Sequence, residues 1–126
     1  ENQQEFRNKV NVFEKALALI LQDETIEVKT ERDKWKETGN IAIELYNHNS
    51  NKPSGLSVTK AHYWATILVD DYKVQSIHIL PVSDLKERVK TIVRSGSGKM
   101  VMGGDLKASE IALIPIKEIF GYASSN

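Results

Sequence analysis

Apolar residues recur every three to four positions through the start of the chain, as in an amphipathic helix. They are four, three, four and four positions apart and would share one helical face: Phe6, Val10, Phe13, Leu17 and Leu21. This spacing predicts a helix over residues 3–21. The last part of the stretch, "KALALIL", alternates instead and is also compatible with a strand. Both structures stay open there.

The segment "IEVKTE" follows a different rule, because apolar and charged residues alternate along it. Side chains alternate between the two faces of a strand, so Ile26 and Val28 would point one way. Glu27 and Lys29 would point the other way. The pattern predicts a strand over residues 25–31 with a carboxylate and an ammonium on one face.

Further periodic segments predict the remaining elements. Strands are predicted over 41–46, 64–71, 74–81 and 111–116, and helices over 82–93 and 116–123. A short helix capped by Ser57 or Thr59 is predicted after the loop 47–55, and Ser83 is the predicted N-cap of the helix that follows Pro81. The Gly-rich stretch 94–110 is predicted to be a loop. This order predicts an α/β fold.

Composition and charge restrict the class of protein. The 126 residues are 40% hydrophobic and 27% charged, which is typical of one globular domain. Lysine plus arginine equals aspartate plus glutamate at 17 each, so net charge neither indicates nor excludes nucleic acid. The absence of cysteine excludes disulfides and thiolate metal sites. No apolar run approaches the roughly 20 residues of a membrane span, and no signal peptide is evident, so we expect a cytoplasmic protein without a membrane partner.

The Glu-x-Lys pair on the first predicted strand combines a possible metal ligand with a cation that can contact phosphate. A carboxylate can ligate Mg²⁺, which prefers hard oxygen ligands. A lysine two residues on projects from the same face and can reach a water or a phosphate oxygen. An exposed charge pair is the commoner explanation of such a tripeptide.

Four segments in order give this tripeptide a context. They read EVKTE at 27–31, TGNIAIE at 38–44, KPSGL at 52–56 with Thr59, Ala61 and Trp64, and GGD at 103–105 with Ser109 and LIP at 113–115. In this order the chain resembles small phage-type members of the PD-(D/E)XK nuclease superfamily. The resemblance covers roughly residues 13 to 120.

The resemblance implies a fold and an activity. The expected fold is a single-domain restriction-endonuclease-like α/β fold over residues 1–126, with a central mixed sheet flanked by helices. The expected activity is Mg²⁺- or Mn²⁺-dependent cleavage of DNA in a bacterial or phage-infected cell, as a branched-DNA resolvase or a nicking enzyme. A homodimer would allow two strands to be cut. The alternatives are a catalytically inactive DNA-binding or scaffold protein on the same fold, and an interaction module without a nucleic-acid role.

Glu27 and Lys29 correspond directly to the superfamily's Glu-x-Lys, as metal ligand and catalytic lysine. The motif's Asp has no clean counterpart. Asp23 lies four residues before Glu27, about 13 Å away along an extended strand, so it could join a metal site only if the chain turns sharply. Glu14 is the stronger second carboxylate, carried by the first helix or, in the alternative structure, by a strand.

The remaining candidates concern DNA binding. The loop residues that would lie near phosphates are Lys52, Ser54, Thr59 and Lys60. Trp35 lies among basic residues and could stack on a base, although packing against the fold explains it equally well. Glu44 is a candidate supporting carboxylate on the second strand, and Trp64 is predicted to belong to the core.

Overall fold

A computed structural model describes residues 2–21 and 25–121. The helices are α1 (Gln3–Leu21), α2 (Lys34–Thr38), α3 (Val82–Ser95) and α4 (Ile116–Ile119). The strands are β1 (Ile26–Arg32), β2 (Asn40–Asn47), β3 (Lys52–Pro53), β4 (Tyr63–Asp70), β5 (Lys73–Pro81), β6 (Lys99–Gly103) and β7 (Ser109–Pro115). The predicted mixed α/β class is therefore confirmed.

The chain divides into two units, and each combines two separate stretches of sequence. The first unit contains the described residues up to Glu37 together with Lys60–Val82. The second contains Thr38–Thr59 together with the described residues from Ser83 onward. Each unit has its own sheet, so among the described residues two sheets replace the single central sheet that the sequence predicts.

The first unit is a three-stranded sheet in the order β1-β4-β5, covered on one face by α1. β1 runs parallel to β4, and β4 runs antiparallel to β5, so this sheet is mixed as expected. Phe6, Val10 and Phe13 of α1 pack in a cluster with Ile67 of β4 and Val28 of β1. The first three residues of the predicted face therefore pack against the sheet, and the strand alternative for "KALALIL" is wrong, because α1 extends to Leu21.

A tight hairpin joins β4 to β5 at the predicted turn. Asp71 and Tyr72 both have positive φ, at 50° and 61°, as a two-residue type I′ connection requires. The strain at Tyr72 is offset by packing, since its ring meets Phe6 edge to face at 5.9 Å. The Arg32 guanidinium lies 4.9 Å from both rings.

The second unit is an antiparallel sheet in the order β3-β2-β7-β6. The buried side of α3 carries Leu85, Val89 and Ile92. α3 approaches β7 near Gly98, where an added Cβ would lie 3.0 Å from Ile114 and 3.2 Å from Ile92. A glycine at this position allows close packing of helix and sheet.

Several local predictions are wrong in detail. The Gly-rich stretch 94–110 is not a continuous loop, because it contains β6 and a 3-10 turn over Asp105–Lys107. The short helix near Ser57 and Thr59 is a 3-10 turn over Gly55–Ser57 that follows Ser54. α3 begins at Val82, so Ser83 lies within it, and α4 ends at Ile119. None of the helices in the described part of the chain is long and apolar enough to cross a membrane.

Candidate functional site

Glu27 and Lys29 meet on the same face of β1. Lys29 Nζ lies 3.3 Å from Glu27 Oε2, and the two side chains are 49% and 38% exposed, respectively. Because Val28 packs against the cluster that contains α1, strand alternation directs the two charged side chains to the opposite face. The structure therefore brings the two central residues of the predicted site together, and solvent reaches both.

The energy of this ion pair is small. Half-exposed pairs of this kind contribute about 0–1 kcal/mol, because water competes for both charges. The ion pair itself therefore holds the two groups together only weakly.

The neighbouring strand β4 places an aromatic residue, Trp64, and a polar residue, Thr66, beside the pair. Glu27 pairs with Trp64 and Lys29 pairs with Thr66 in the register between β1 and β4. Lys29 Nζ lies 5.7 Å from the centre of the Trp64 ring, within reach of a cation–π interaction. Trp64 is 5% exposed, which confirms its predicted place in the core.

The row of paired residues continues from β4 onto β5, where Thr66 pairs with His78. His78 Nε2 lies 3.1 Å from Ser76 Oγ, and burial lowers the pKa of His78 below its ordinary value of 6.5. Sequence reasoning missed this row because register between strands cannot be seen in one strand. Its only local signal is Thr66, a single hydroxyl inside the apolar run of β4 and only 2% exposed.

Glu14, the stronger candidate for the second carboxylate, is not grouped with Glu27. Glu14 lies exposed on α1, the helix that covers the other face of the sheet. Asp23 lies outside the described residues. The helical position of Glu14 follows the first of the two predicted structures, and nothing brings its carboxylate to the face that carries Glu27.

A divalent cation is the cofactor that the resemblance implies, so its fit to these residues matters. Within residues 2–21 and 25–121, no three His, Asp or Glu side chains gather where they could hold a metal ion. Mg²⁺ commonly takes one or two protein carboxylates, with water and substrate phosphate completing its shell. Glu27, accessible and acidic, meets that minimum as a single ligand.

Glu44 lies in the second unit at the point where three of the four sequence segments meet. Ser109 Oγ donates a 2.7 Å hydrogen bond to Glu44 Oε1. Ser109 is only 4% exposed. An added Cβ at Gly55 would lie 2.2 Å from the Glu44 carbonyl oxygen, and one at Gly104 would lie 3.1 Å from Ser109 Oγ. Residues of three motif segments therefore pack closely around Glu44.

The loop candidates for phosphate contact differ in accessibility. Lys52 and Lys60 are exposed, as a phosphate ligand requires. Ser54 Oγ is buried and has no hydrogen-bond partner, so this hydroxyl faces protein rather than solvent. Thr59 is half-buried, and its backbone N–H donates to the Gly55 carbonyl at 3.1 Å.

Trp35 is anchored within the first unit. Its indole Nε1 donates a 2.8 Å hydrogen bond to the Val69 carbonyl oxygen, and the residue is half-buried. Next to it, Lys36 Nζ donates to Asp70 Oδ2 at 2.7 Å. Of the two explanations for Trp35, packing against the fold has the contact that supports it.

Comparison with known proteins identifies no family for this chain. No family model matches the chain, and searches of curated proteins and of solved structures return no match.

Proposed function

We propose that this chain is a metal-dependent DNA endonuclease that hydrolyses phosphodiester bonds, of the branched-DNA resolvase or nicking type. The supporting observation is the accessible Glu27–Lys29 pair on one face of β1, with the two groups 3.3 Å apart. The order of the four sequence segments supports the same function. The restriction-endonuclease-like fold is part of this proposal.

Each residue of the pair has a chemical role in the proposal. The Lys29 ammonium stabilises the negative charge that develops on the phosphate during hydrolysis and positions the attacking water. The centre of the Trp64 ring lies 5.7 Å from Nζ, a distance at which a cation–π interaction favours this position of the ammonium. Glu27 would supply a carboxylate ligand for Mg²⁺ or Mn²⁺, and Asp23, which lies outside the described residues, stays a further candidate, whereas the position of Glu14 on α1 does not fit this role. A bound divalent ion would supply a Lewis acid and lower the pKa of a coordinated water.

The test is cleavage of labelled linear, nicked and four-way-junction DNA with Mg²⁺, Mn²⁺ or EDTA. We expect metal-dependent products from the wild type, and a rate at least about a hundredfold lower in Glu27→Ala and in Lys29→Ala. Both residues are half-exposed, so both variants should fold.

Glu37→Ala and Lys73→Ala serve as matched controls, because both residues are exposed and lie in the same unit. These two variants should cleave at the wild-type rate. An unchanged rate in purified Lys29→Ala would contradict the nuclease assignment. Equal losses in the controls would show that the effect comes from net charge rather than from this pair.

A second candidate is a catalytically inactive DNA-binding protein on the same fold. It is favoured by the lack of a three-membered acidic or histidine cluster in the part of the chain that the structure describes. Such a protein would bind DNA in EDTA and give no products with any metal. Its affinity should fall as salt rises, because phosphate contacts release counterions.

A further inference from the structure

The second unit contains a groove beside α3 that the proposed nuclease site does not use. It has a volume of about 560 Å³ and a largely apolar floor, to which Leu45, Leu56, Val93 and Met100 contribute. Met100 is 44% exposed, so its side chain presents apolar surface to a molecule bound in the groove. Covering this floor would remove apolar surface from water.

One side of the groove is a row of cations along α3. Lys86, Lys90 and Arg94 all line it, and each is exposed. They lie four residues apart, so successive cations are spaced by about 6 Å along the helix and share one side of it. Among the described residues that line the groove, Glu87 is the only carboxylate, and its Oε1 lies 3.6 Å from Lys90 Nζ. This row is strongly positive in a chain whose formal charges balance.

The combination of apolar floor and cationic row distinguishes between possible occupants. Single-stranded nucleic acid binds through stacking on aromatic side chains, and none of the lining residues in the described part of the chain is aromatic. A phosphate backbone would also leave the apolar floor uncovered. A helix with an apolar stripe and flanking acids satisfies both features, since acids four residues apart match the spacing of the cations.

We infer that this groove is a docking site for an acidic amphipathic helix of a partner protein. The apolar stripe of the partner would cover Leu45, Val93 and Met100, and its acidic residues would face Lys86, Lys90 and Arg94. This inference does not depend on the nuclease proposal, because the groove belongs to one unit and uses none of the proposed catalytic residues.

The test is fluorescence anisotropy of the whole chain with labelled synthetic helices. One peptide carries leucines along one face and glutamates at every fourth position beside them. Its twin has lysine in place of each glutamate, and a short single-stranded oligonucleotide is the third probe. Lys86→Glu/Lys90→Glu is compared with Lys107→Glu/Lys117→Glu, which changes net charge equally at exposed positions outside the groove.

The expected result is binding of the acidic peptide, weakened about tenfold in the Lys86/Lys90 variant and unchanged in the Lys107/Lys117 control. Met100→Gln, at an exposed position, should also weaken binding and tests the floor without a charge change. The inference is overturned if the acidic peptide binds no better than its lysine twin, or if both double variants behave alike. Oligonucleotide binding that alone depends on Lys86 and Lys90 would overturn it in favour of nucleic acid.

Discussion

Gly55 illustrates how one residue in a motif can serve the structure. Its φ is +55°, and an added Cβ would meet the backbone of Glu44 at 2.2 Å from the carbonyl oxygen. Glu44 is in turn hydrogen-bonded to Ser109. The "KPSG" segment that suggests a phosphate-binding loop therefore has a packing reason for its glycine.

We predict that Gly55→Ala lowers the free energy of unfolding more than Gly39→Ala does. Both glycines have positive φ, at +55° and +75°, so each substitution carries backbone strain of about 1–3 kcal/mol. Only Gly55 adds a clash, because nothing lies within 4 Å of a Cβ at Gly39. Urea unfolding of both variants measures the difference, and equal losses would show that β2 yields to the added methyl group.

At the scale of elements, α2 depends on its contacts with the β4–β5 hairpin. The Val69 carbonyl accepts hydrogen bonds from the backbone N–H of Asp33 at 2.9 Å and from Trp35 Nε1 at 2.8 Å. Asp33 Oδ1 accepts a further bond from the Asp71 N–H at 3.0 Å. A five-residue helix is too short to be stable alone, so these bonds hold it in place.

We predict that Trp35→Phe lowers the free energy of unfolding by about 1 kcal/mol, because it keeps an aromatic ring and removes one hydrogen bond. Lys36→Met is the comparison. The hydrogen bond to Asp70 and the charge of Asp70 raise the pKa of Lys36, yet the ammonium is fully exposed, so its loss should change stability little. Chemical unfolding of both variants tests the order, and a larger loss for Lys36→Met would contradict it.

Elements with strong periodicity were predictable, whereas the short elements α2, β3 and β6 were not. α1, β1 and β2 lie where alternation and helical spacing indicate. β3 and β6 were missed because a strand of two or five residues is stabilised by its neighbour, β2 or β7, rather than by its own pattern. The apolar run in β6 was hidden between glycines that favour a loop.

At the scale of the whole molecule, stability should depend on pH through His78. Burial lowers the pKa of His78 below 6.5, so the unfolded chain binds this proton more tightly than the folded chain. The stabilising contribution is therefore present above about pH 6.5 and is lost as pH falls toward the lowered folded pKa.

We predict that the wild type loses more stability than His78→Gln does between about pH 7.5 and about pH 5.5. Glutamine removes the titrating ring and retains hydrogen-bonding capacity near Ser76. Urea midpoints at the two pH values give the comparison. The same pH dependence in His78→Gln would assign the effect to other groups.

The sequence by itself determined the α/β class, the main helices and strands, and the shared face of Glu27 and Lys29. All of these follow from local periodicity, which acts over a few residues. Only the tertiary structure decided that two sheets form, that Trp64 and Thr66 lie beside the pair, and that Ser109 binds Glu44 from 65 positions away. It also decided that α1 covers the face opposite Glu27. Strand register and helix placement arise from contacts between distant segments, and these contacts cannot be inferred from the sequence of one strand or helix.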